Sequence, residues 1–288
     1  MFFFTLVFIA WSTQLSACIS DPDLEKGLMY LASQDFGYTL VGAKPVTIEQ
    51  SMSFDLIINQ KKRECLFSFL ERTFHKSKNF IFNRLDRHGY FELINKKTLL
   101  KQIRQYKRLN RFVRKKYTTT RAFFNALKTS DITIFEALDH DSILIAIVLG
   151  YGEENGEFFK RRAQIGEYLQ KYPIVAVFPF DQHPSPYWAF PSHSTYFVEP
   201  SPIVPPPLSP QFVSLDQEWN WIKRMEWRLC DNNNPEPPYY ISLPTYICRY
   251  GSESEHIHKT YLKARSRLAK LLCEKKFSEI LVDEALKS

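Results

Sequence analysis

The first segment whose residue types could support chemistry is the glycine-containing loop from Gly150 to Gly156. It follows an apolar run that ends at Leu149, and it precedes a stretch with helical periodicity. A strand, a Gly-x-Gly turn and a helix in that order are typical of dinucleotide-binding units, in which backbone amides hold the pyrophosphate. The spacing here is Gly-x-Gly-x-x-x-Gly, however, and Glu153 and Glu154 would place negative charge where phosphates lie. The apolar run is equally compatible with a buried helix that ends at the first glycine.

The other polar combinations in the chain do not form a recognisable catalytic or metal-binding pattern. Glu253, Glu255, His256 and His258 could contribute metal ligands. The two histidines are two positions apart, however, which places them on one face of a strand but on different faces of a helix, and the region has helical periodicity. The Asp-His-Asp triplet at positions 139–141 is more typical of a helix N-cap than of a catalytic dyad. We therefore predict no catalytic, cofactor-binding or metal-binding residues and no bound cofactor.

The largest charge anomaly is the stretch from Lys96 to Arg121, which contains eleven Lys or Arg residues and no acidic residue. Its cations lie beside an apolar stripe at helical spacing, as on an amphipathic helix. The predicted contacts with a partner or a membrane surface are Lys101, Arg104, Lys107, Arg108, Arg111, Arg114 and Lys115. On an exported protein, such a helix would face anionic lipid headgroups or an acidic envelope protein.

Two alternatives to a membrane or protein contact remain open for this stretch. Interleaved Tyr106, Phe112 and Tyr117 could stack on the bases of single-stranded nucleic acid, although we regard nucleic acid as the less favoured partner. The simplest interpretation is a solvated helix face whose long basic side chains cover the apolar stripe.

The N-terminal segment has the features of an export signal. Residues 1–17 carry no charge, and the apolar run from Phe2 to Trp11 is too short to span a bilayer but has the length of a signal-peptide core. Small residues then precede Cys18, an arrangement that resembles the lipobox of bacterial lipoproteins. We expect a signal peptide over residues 1–17, a lipid anchor at Cys18 that includes palmitate, and a location in the cell envelope. No Lys or Arg precedes the apolar run, and a secreted protein without the lipid is the alternative.

Length and composition limit the fold classes that this chain can adopt. The 288 residues are 44% hydrophobic and 24% charged, which is enough for a buried core. Only nine glycines are present, which argues against an all-β architecture with many tight turns. The net charge of +7 favours anionic partners but does not indicate whether the partner is a nucleic acid, a lipid surface or an acidic protein. Besides Cys18 there are four cysteines whose pairing stays open, namely Cys65, Cys230, Cys248 and Cys273.

Periodicity predicts an α+β fold that is predominantly helical, with small antiparallel sheet elements. A hairpin is expected where Phe80–Leu85 and Tyr90–Ile94 flank a turn sequence, and one continuous helix is expected over Lys96–Lys116. Two glycines bracket a short extended stretch within Phe36–Val46. Eleven prolines between Pro173 and Pro210 exclude regular helix there, and dense aromatics favour an ordered extended wrap. The predicted parts are the signal peptide at 1–17, a body at 18–171, and the wrap with C-terminal helices packed on the body at 172–288.

Two short motifs resemble segments of other proteins. Gly-Tyr-Thr-Leu-Val-Gly-Ala-Lys-Pro-Val at 37–46, and Leu-Gly-Tyr-Gly-Glu-Glu-Asn at 149–155 followed by Phe158-Phe159, resemble a group of uncharacterised proteins from Chlamydia-type intracellular bacteria. The resemblance covers roughly Leu24 to Leu169. It implies no activity and supplies no catalytic residues, and it favours a bacterial envelope location because that group often begins with a lipoprotein-like segment.

These observations predict a non-catalytic, lipoprotein-like envelope protein that binds a protein partner or the membrane surface. The alternatives are a nucleotide-dependent enzyme with its site in the Gly150–Gly156 loop, and a secreted effector in which Cys18 carries no lipid.

Overall fold

The computed structural model describes residues 22–50, 60–85, 89–129, 132–169, 205–229, 241, 243–244 and 246–287. The predicted signal peptide, Cys18, Cys230 and most of the proline-rich segment lie outside these residues. The described helices are α1 (Pro22–Ser33), α2 (Asp35–Leu40), α3 (Gln60–His75), α4 (Lys96–Gln105), α5 (Lys107–Tyr117), α6 (Thr120–Thr129), α7 (Ile134–Ala137), α8 (Ser142–Val148), α9 (Glu153–Tyr168), α10 (Leu215–Met225), α11 (Ser252–Glu274) and α12 (Phe277–Leu286). The described strands are β1 (Val46–Gln50), β2 (Phe80–Leu85), β3 (Tyr90–Asn95), β4 (Glu226–Leu229) and β5 (Tyr246–Arg249). The predicted α+β, mainly helical fold with small antiparallel sheets is confirmed.

The larger sheet is antiparallel with the strand order β1-β3-β2. The predicted hairpin is present, with Leu85 opposite Tyr90 next to the turn and Phe80 opposite Asn95 at the far end. β1 pairs with the other edge of β3, which is therefore central and almost entirely buried. Helix α3 covers this sheet with aromatic side chains, and the Phe67 ring lies 5.2 Å from that of Phe91 in an edge-to-face arrangement.

The segment predicted to be extended within Phe36–Val46 is helical over its first half. α2 spans Asp35–Leu40, and the strand begins only at Val46. All residues from 36 to 40 are buried, so neighbours surround the helix and no amphipathic period marks it in the sequence. A Cβ atom at Gly37 would lie within 3 Å of the Ala32 carbonyl oxygen and of Leu268, so glycine permits this close helix contact.

The basic stretch forms two helices instead of the single helix predicted over Lys96–Lys116. Tyr106 separates them with an extended backbone conformation, φ −97° and ψ 109°. α4 begins at an N-cap in which the Asn95 side chain accepts a hydrogen bond from the Thr98 amide at 3.0 Å. The break places the Tyr106 hydroxyl 3.3 Å from a carboxylate oxygen of Glu253 at the start of α11.

The C-terminal helices share the main core with the N-terminal elements. Tyr261 and Leu268 from α11 and Leu281 from α12 belong to the same buried cluster as Leu28 and Phe36. A smaller second cluster joins α9 to α10 and consists of Phe158, Ile165, Trp219 and Ile222. This packing fixes the position of α11 beside α4, where the candidate site lies.

Buried ion pairs hold α9 against the α10–β4 segment. Arg161 donates to Glu218 at 2.5 and 2.7 Å, and Arg162 donates to Glu226 at 2.9 Å. Burial disfavours ionisation of Glu218, but its hydrogen bonds from Arg161 and Ser209 outweigh that cost and hold its pKa below the ordinary value.

Candidate functional site

The Gly150–Gly156 loop joins two helices and does not follow a strand. The apolar run before it is α8, and Asp141 caps this helix by accepting hydrogen bonds from the amides of Ile143 and Leu144 at 2.9 and 3.0 Å. The N-cap interpretation of the Asp-His-Asp triplet is therefore confirmed. A Cβ atom at Gly156 would lie within 3 Å of Ala146, so this glycine serves the close contact of α8 and α9. The strand–turn–helix order of a dinucleotide-binding unit is absent from this part of the described chain.

A carboxylate of the protein itself occupies the N-terminus of α9. Glu253 accepts a hydrogen bond from the Glu153 amide on one oxygen and from the Asn155 amide on the other, both at 3.1 Å. Gly152 has φ +90°, and a Cβ atom there would lie within 3 Å of the Glu253 carboxylate. Burial raises the pKa of Glu253, while the two amide hydrogen bonds oppose that rise. The amides that a phosphate would need are thus already satisfied.

Asn155 connects this helix end to β5 and α11. Its Oδ1 accepts from the Arg249 amide at 3.0 Å and from the Ser254 hydroxyl at 2.9 Å, while its Nδ2 donates to the Tyr151 carbonyl at 2.8 Å. Asn155 is buried, so each of these hydrogen bonds replaces one that water would otherwise make.

The two motifs that carry the resemblance meet around Lys44. Lys44 is 1% exposed, forms an ion pair with Asp35, and donates to the Tyr151 hydroxyl at 3.1 Å. Its ammonium group also lies 4.7 Å from the centroid of the Tyr151 ring. Burial chiefly, and the Asp35 charge next, raise the pKa of nearby Glu49 to about 8, whereas Lys44 opposes the rise. Because Lys44 is enclosed, we assign this cluster a structural role.

A groove of about 1040 Å³ lies between α4 on one side and α11 and α12 on the other. The backbone of residues 41–43, Gly150 and Tyr261 contribute to its lining, so the groove borders the junction of the two motifs. Six side chains that are cationic or can become so line it, namely Lys97, Lys101, Arg104, His256, Arg267 and Lys287. Among the described lining residues Glu284 is the single acid, and it already contacts Arg267 at 3.5 Å and Lys287 at 2.5 Å.

Most of the cations predicted from the sequence are exposed along α4 and α5. We define the basic face as Lys101, Arg104, Lys107, Arg111, Arg114 and Lys115, all of which are exposed. Within the described chain, none of these six forms an ion pair with a carboxylate. Arg108 is the exception among the seven predicted contacts: it lies 3.4 Å from Asp141 and 3.6 Å from Glu157. Arg108 thus joins α5 to the neighbouring helices.

Comparison with protein-family models, with curated proteins and with solved structures gives no match to the chain.

The interleaved aromatic residues of the basic stretch face the interior and not a ligand. Tyr106, Phe112 and Tyr117 are half-buried and pack on the main core. Tyr117 donates to the Ala137 carbonyl at 2.8 Å, and the Lys116 ammonium lies 5.6 Å from the Phe112 ring and 5.4 Å from the Tyr117 ring. Base stacking on these rings would require them to leave their contacts, which disfavours the nucleic-acid alternative.

The described residues hold no group of three His, Cys, Asp or Glu side chains placed to bind a metal ion. His258 contacts the Trp227 ring at 5.6 Å, while His256 is exposed on the groove side. Cys65, Cys248 and Cys273 form no disulfide bond with one another. In the part of the chain that the structure covers, each helix is too short or too polar to span a membrane.

The roles of several residues of the site could not be identified from the sequence, which offered Glu253 only as a possible metal ligand. Glu253, Tyr261 and Arg267 lie at ordinary positions of an amphipathic helix, and their partners at 150–155 and at Val41 are distant in sequence. The glycines give an indirect signal in the sequence. Gly150 and Gly152 have positive φ angles, at +84° and +90°, a conformation that favours glycine. They indicate where the chain packs closely but do not identify the residues that pack there.

Proposed function

We propose that this chain is a non-catalytic envelope protein that attaches to an anionic membrane surface through the basic face. The observation that carries the proposal is the set of six exposed cations on two adjacent helices with no carboxylate partner in the described chain. Each Lys or Arg near an anionic bilayer contributes about 1 kcal/mol of attraction. Several cations together therefore give the chain affinity for an anionic membrane, and this affinity decreases as salt screens the charges.

The surroundings of the basic face favour lipid headgroups over a protein partner. Protein interfaces usually have a central region rich in large apolar and aromatic side chains. The large hydrophobic side chains that are exposed in the described chain are Leu208, Val213, Tyr250, Val282 and Leu286. None of these belongs to α4 or α5, so we expect the face to rest on headgroups without inserting into the hydrocarbon.

The lipid expected at Cys18 would complement this electrostatic contact. A diacylglycerol anchor carries two acyl chains, which are enough for stable attachment, so the basic face is not needed to hold the protein at the membrane. In the proposed arrangement the lipid keeps the chain at the envelope membrane, and the basic face sets how the folded domain lies on it.

The basic-face test compares two triple variants with matched charge changes in the full chain carrying Cys18→Ser, which removes the lipid. The first replaces Lys107, Arg111 and Arg114 with Glu, leaving the paired Arg108 intact; the second replaces exposed Lys259, Lys263 and Lys270 of α11 with Glu. We expect binding to phosphatidylglycerol vesicles to fall at least about 100-fold in the first variant, since losing three cations removes about 3 kcal/mol of attraction and each new Glu is repelled by the anionic surface.

The α11 variant should retain vesicle binding within about threefold, because its substitutions lower the net charge equally but lie off the face. Equal losses in the two variants, or no sedimentation with vesicles at low salt, would contradict the proposed membrane contact. Mass spectrometry of the mature N-terminus tests the anchor separately: diacylglycerol on Cys18 supports it, and an intact Met1 overturns it.

A further inference from the structure

We propose that the groove between α4 and α11–α12 is a binding site for a phosphorylated ligand, which occupies it through phosphate groups. This inference goes beyond membrane attachment, because most of the groove is built from residues that are not part of the basic face. Lys101 and Arg104 belong to both surfaces, whereas Lys97, Arg267 and Lys287 line the groove alone.

The charge of the groove favours a ligand with several negative charges. Five Lys or Arg side chains and His256 surround one acid, Glu284, whose charge is already shared between Arg267 and Lys287. A phosphate ester carries up to about two negative charges and three strong acceptor oxygens, so it matches Arg and Lys donors better than a neutral metabolite does. Thr98 and Thr260 also line the groove, but their hydroxyl groups already donate to the Gly42 and His256 carbonyls, so the Lys and Arg side chains are the donors for the phosphate oxygens.

The walls of the groove are held by hydrogen bonds that do not depend on a ligand. Arg267 donates to the Val41 carbonyl at 3.1 Å, which ties α11 to the 41–43 turn. Thr98 donates to the Gly42 carbonyl at 3.2 Å, which ties α4 to the same turn. Tyr261 donates to the Gly150 carbonyl at 3.2 Å behind them. A site whose walls are already positioned needs little ordering on binding, and this preserves affinity.

The size of the groove fits a small phosphorylated molecule or a lipid headgroup. Its volume of about 1040 Å³ is at the upper end of the usual range for small-molecule sites. The shared chemistry is a phosphate-bearing polar group, which can come from a soluble phosphate compound or from the headgroup of a membrane lipid. The shared cations Lys101 and Arg104 connect the groove to the basic face, so either source can reach it.

The test measures binding of inorganic tripolyphosphate to the full chain with Cys18→Ser by isothermal titration calorimetry. Lys97→Glu is the main groove variant, because position 97 is in the first turn of α4, where an acidic residue favours the helix and keeps the fold intact. A second variant, Lys287→Gln, removes charge from the opposite wall and leaves the hydrogen bond from Arg267 to the Val41 carbonyl intact. The matched control is Arg111→Glu on the basic face, outside the groove.

We expect one tripolyphosphate per chain, with binding at least tenfold weaker in each groove variant and changed less than threefold in the control. If only phosphatidylglycerol vesicles bind and Lys97→Glu weakens them more than Arg111→Glu does, the ligand is a lipid headgroup and the groove proposal stands. Equal weakening by groove and control variants, or no effect of either groove variant on either probe, overturns it. The membrane proposal fails on a different result, the equal losses in the two triple variants.

Discussion

The Lys44 ammonium lies 3.1 Å from the Tyr151 hydroxyl in the protein interior, although 107 residues separate them in the chain. Lys44 also pairs with Asp35 at the start of α2, so one cation connects two segments that are distant in sequence. The two short motifs at 37–46 and 149–155 are therefore one structural unit that stabilises the floor of the groove.

Removing this cation should destabilise the fold strongly. We expect Lys44→Met to lower the free energy of unfolding by about 3 kcal/mol, because the partly buried Asp35 carboxylate would lose its counter-ion. Urea denaturation followed by circular dichroism measures the change. The double variant Lys44→Met with Asp35→Asn should recover part of the loss, since it also removes the carboxylate that would be left unpaired. A loss below about 1 kcal/mol for the single variant would contradict the assigned structural role.

A methyl group at Gly152 should be far more harmful than one at another glycine with positive φ. Gly152→Ala places a Cβ atom against the Glu253 carboxylate, and we expect it to cost at least about 3 kcal/mol of unfolding free energy. Gly89→Ala is the matched control, because Gly89 has φ +68° but no heavy atom of the described residues lies within 4 Å of its Cβ position. Its cost should be about 1 kcal/mol, from backbone strain alone. Similar costs at both positions would show that Glu253 does not occupy the end of α9.

The buried carboxyl of Glu92 should make stability fall as pH rises. Burial raises its pKa from 4.5 to about 7, and the hydrogen bond from the Ile134 amide at 2.9 Å only partly opposes this. The folded state thus holds more protons than the unfolded state between about pH 4.5 and 7, so the free energy of unfolding decreases across that window. Because Gln cannot ionise, about 2 kcal/mol of this decrease in the free energy of unfolding should be absent in Glu92→Gln.

The measurement for Glu92 is urea unfolding of the wild-type chain and of Glu92→Gln at pH 5 and at pH 7.5. Glu49 has a pKa raised to about 8 and contributes a slope of its own in both proteins, so the difference between them isolates Glu92. Identical pH dependence in the two proteins would mean that Glu92 is ionised in the folded state over the whole range.

Local patterns predicted much of the fold. The hairpin at 80–94 has a turn sequence between apolar runs, and α11 has apolar residues at helical spacing over most of its length. α2 was not predicted, because a helix buried on all sides has no amphipathic period. The break at Tyr106 was also missed, since a hydrogen bond to Glu253, distant in sequence, accompanies it and no local proline or glycine marks it.

The candidate site was predicted only in part, for the same reason. The basic face lies within two consecutive helices, so the spacing of its cations was visible in the sequence. The opposite wall of the groove comes from Arg267 and Lys287, and only tertiary packing brings these residues to α4. The glycines at 150–156 suggested a nucleotide-binding turn despite their different spacing, but the structure places a carboxylate against Gly152 and a helix contact at Gly156.

The links from Arg108 to Asp141 and Glu157 have a geometric consequence for adsorption on a flat surface. They join α5 to two other helices and, together with the buried Leu109 and Val113, fix the backbone that carries the neighbouring cations. A protein held to a bilayer through them would keep a single tilt and would not roll, and the same side of the molecule would always point away from the lipid.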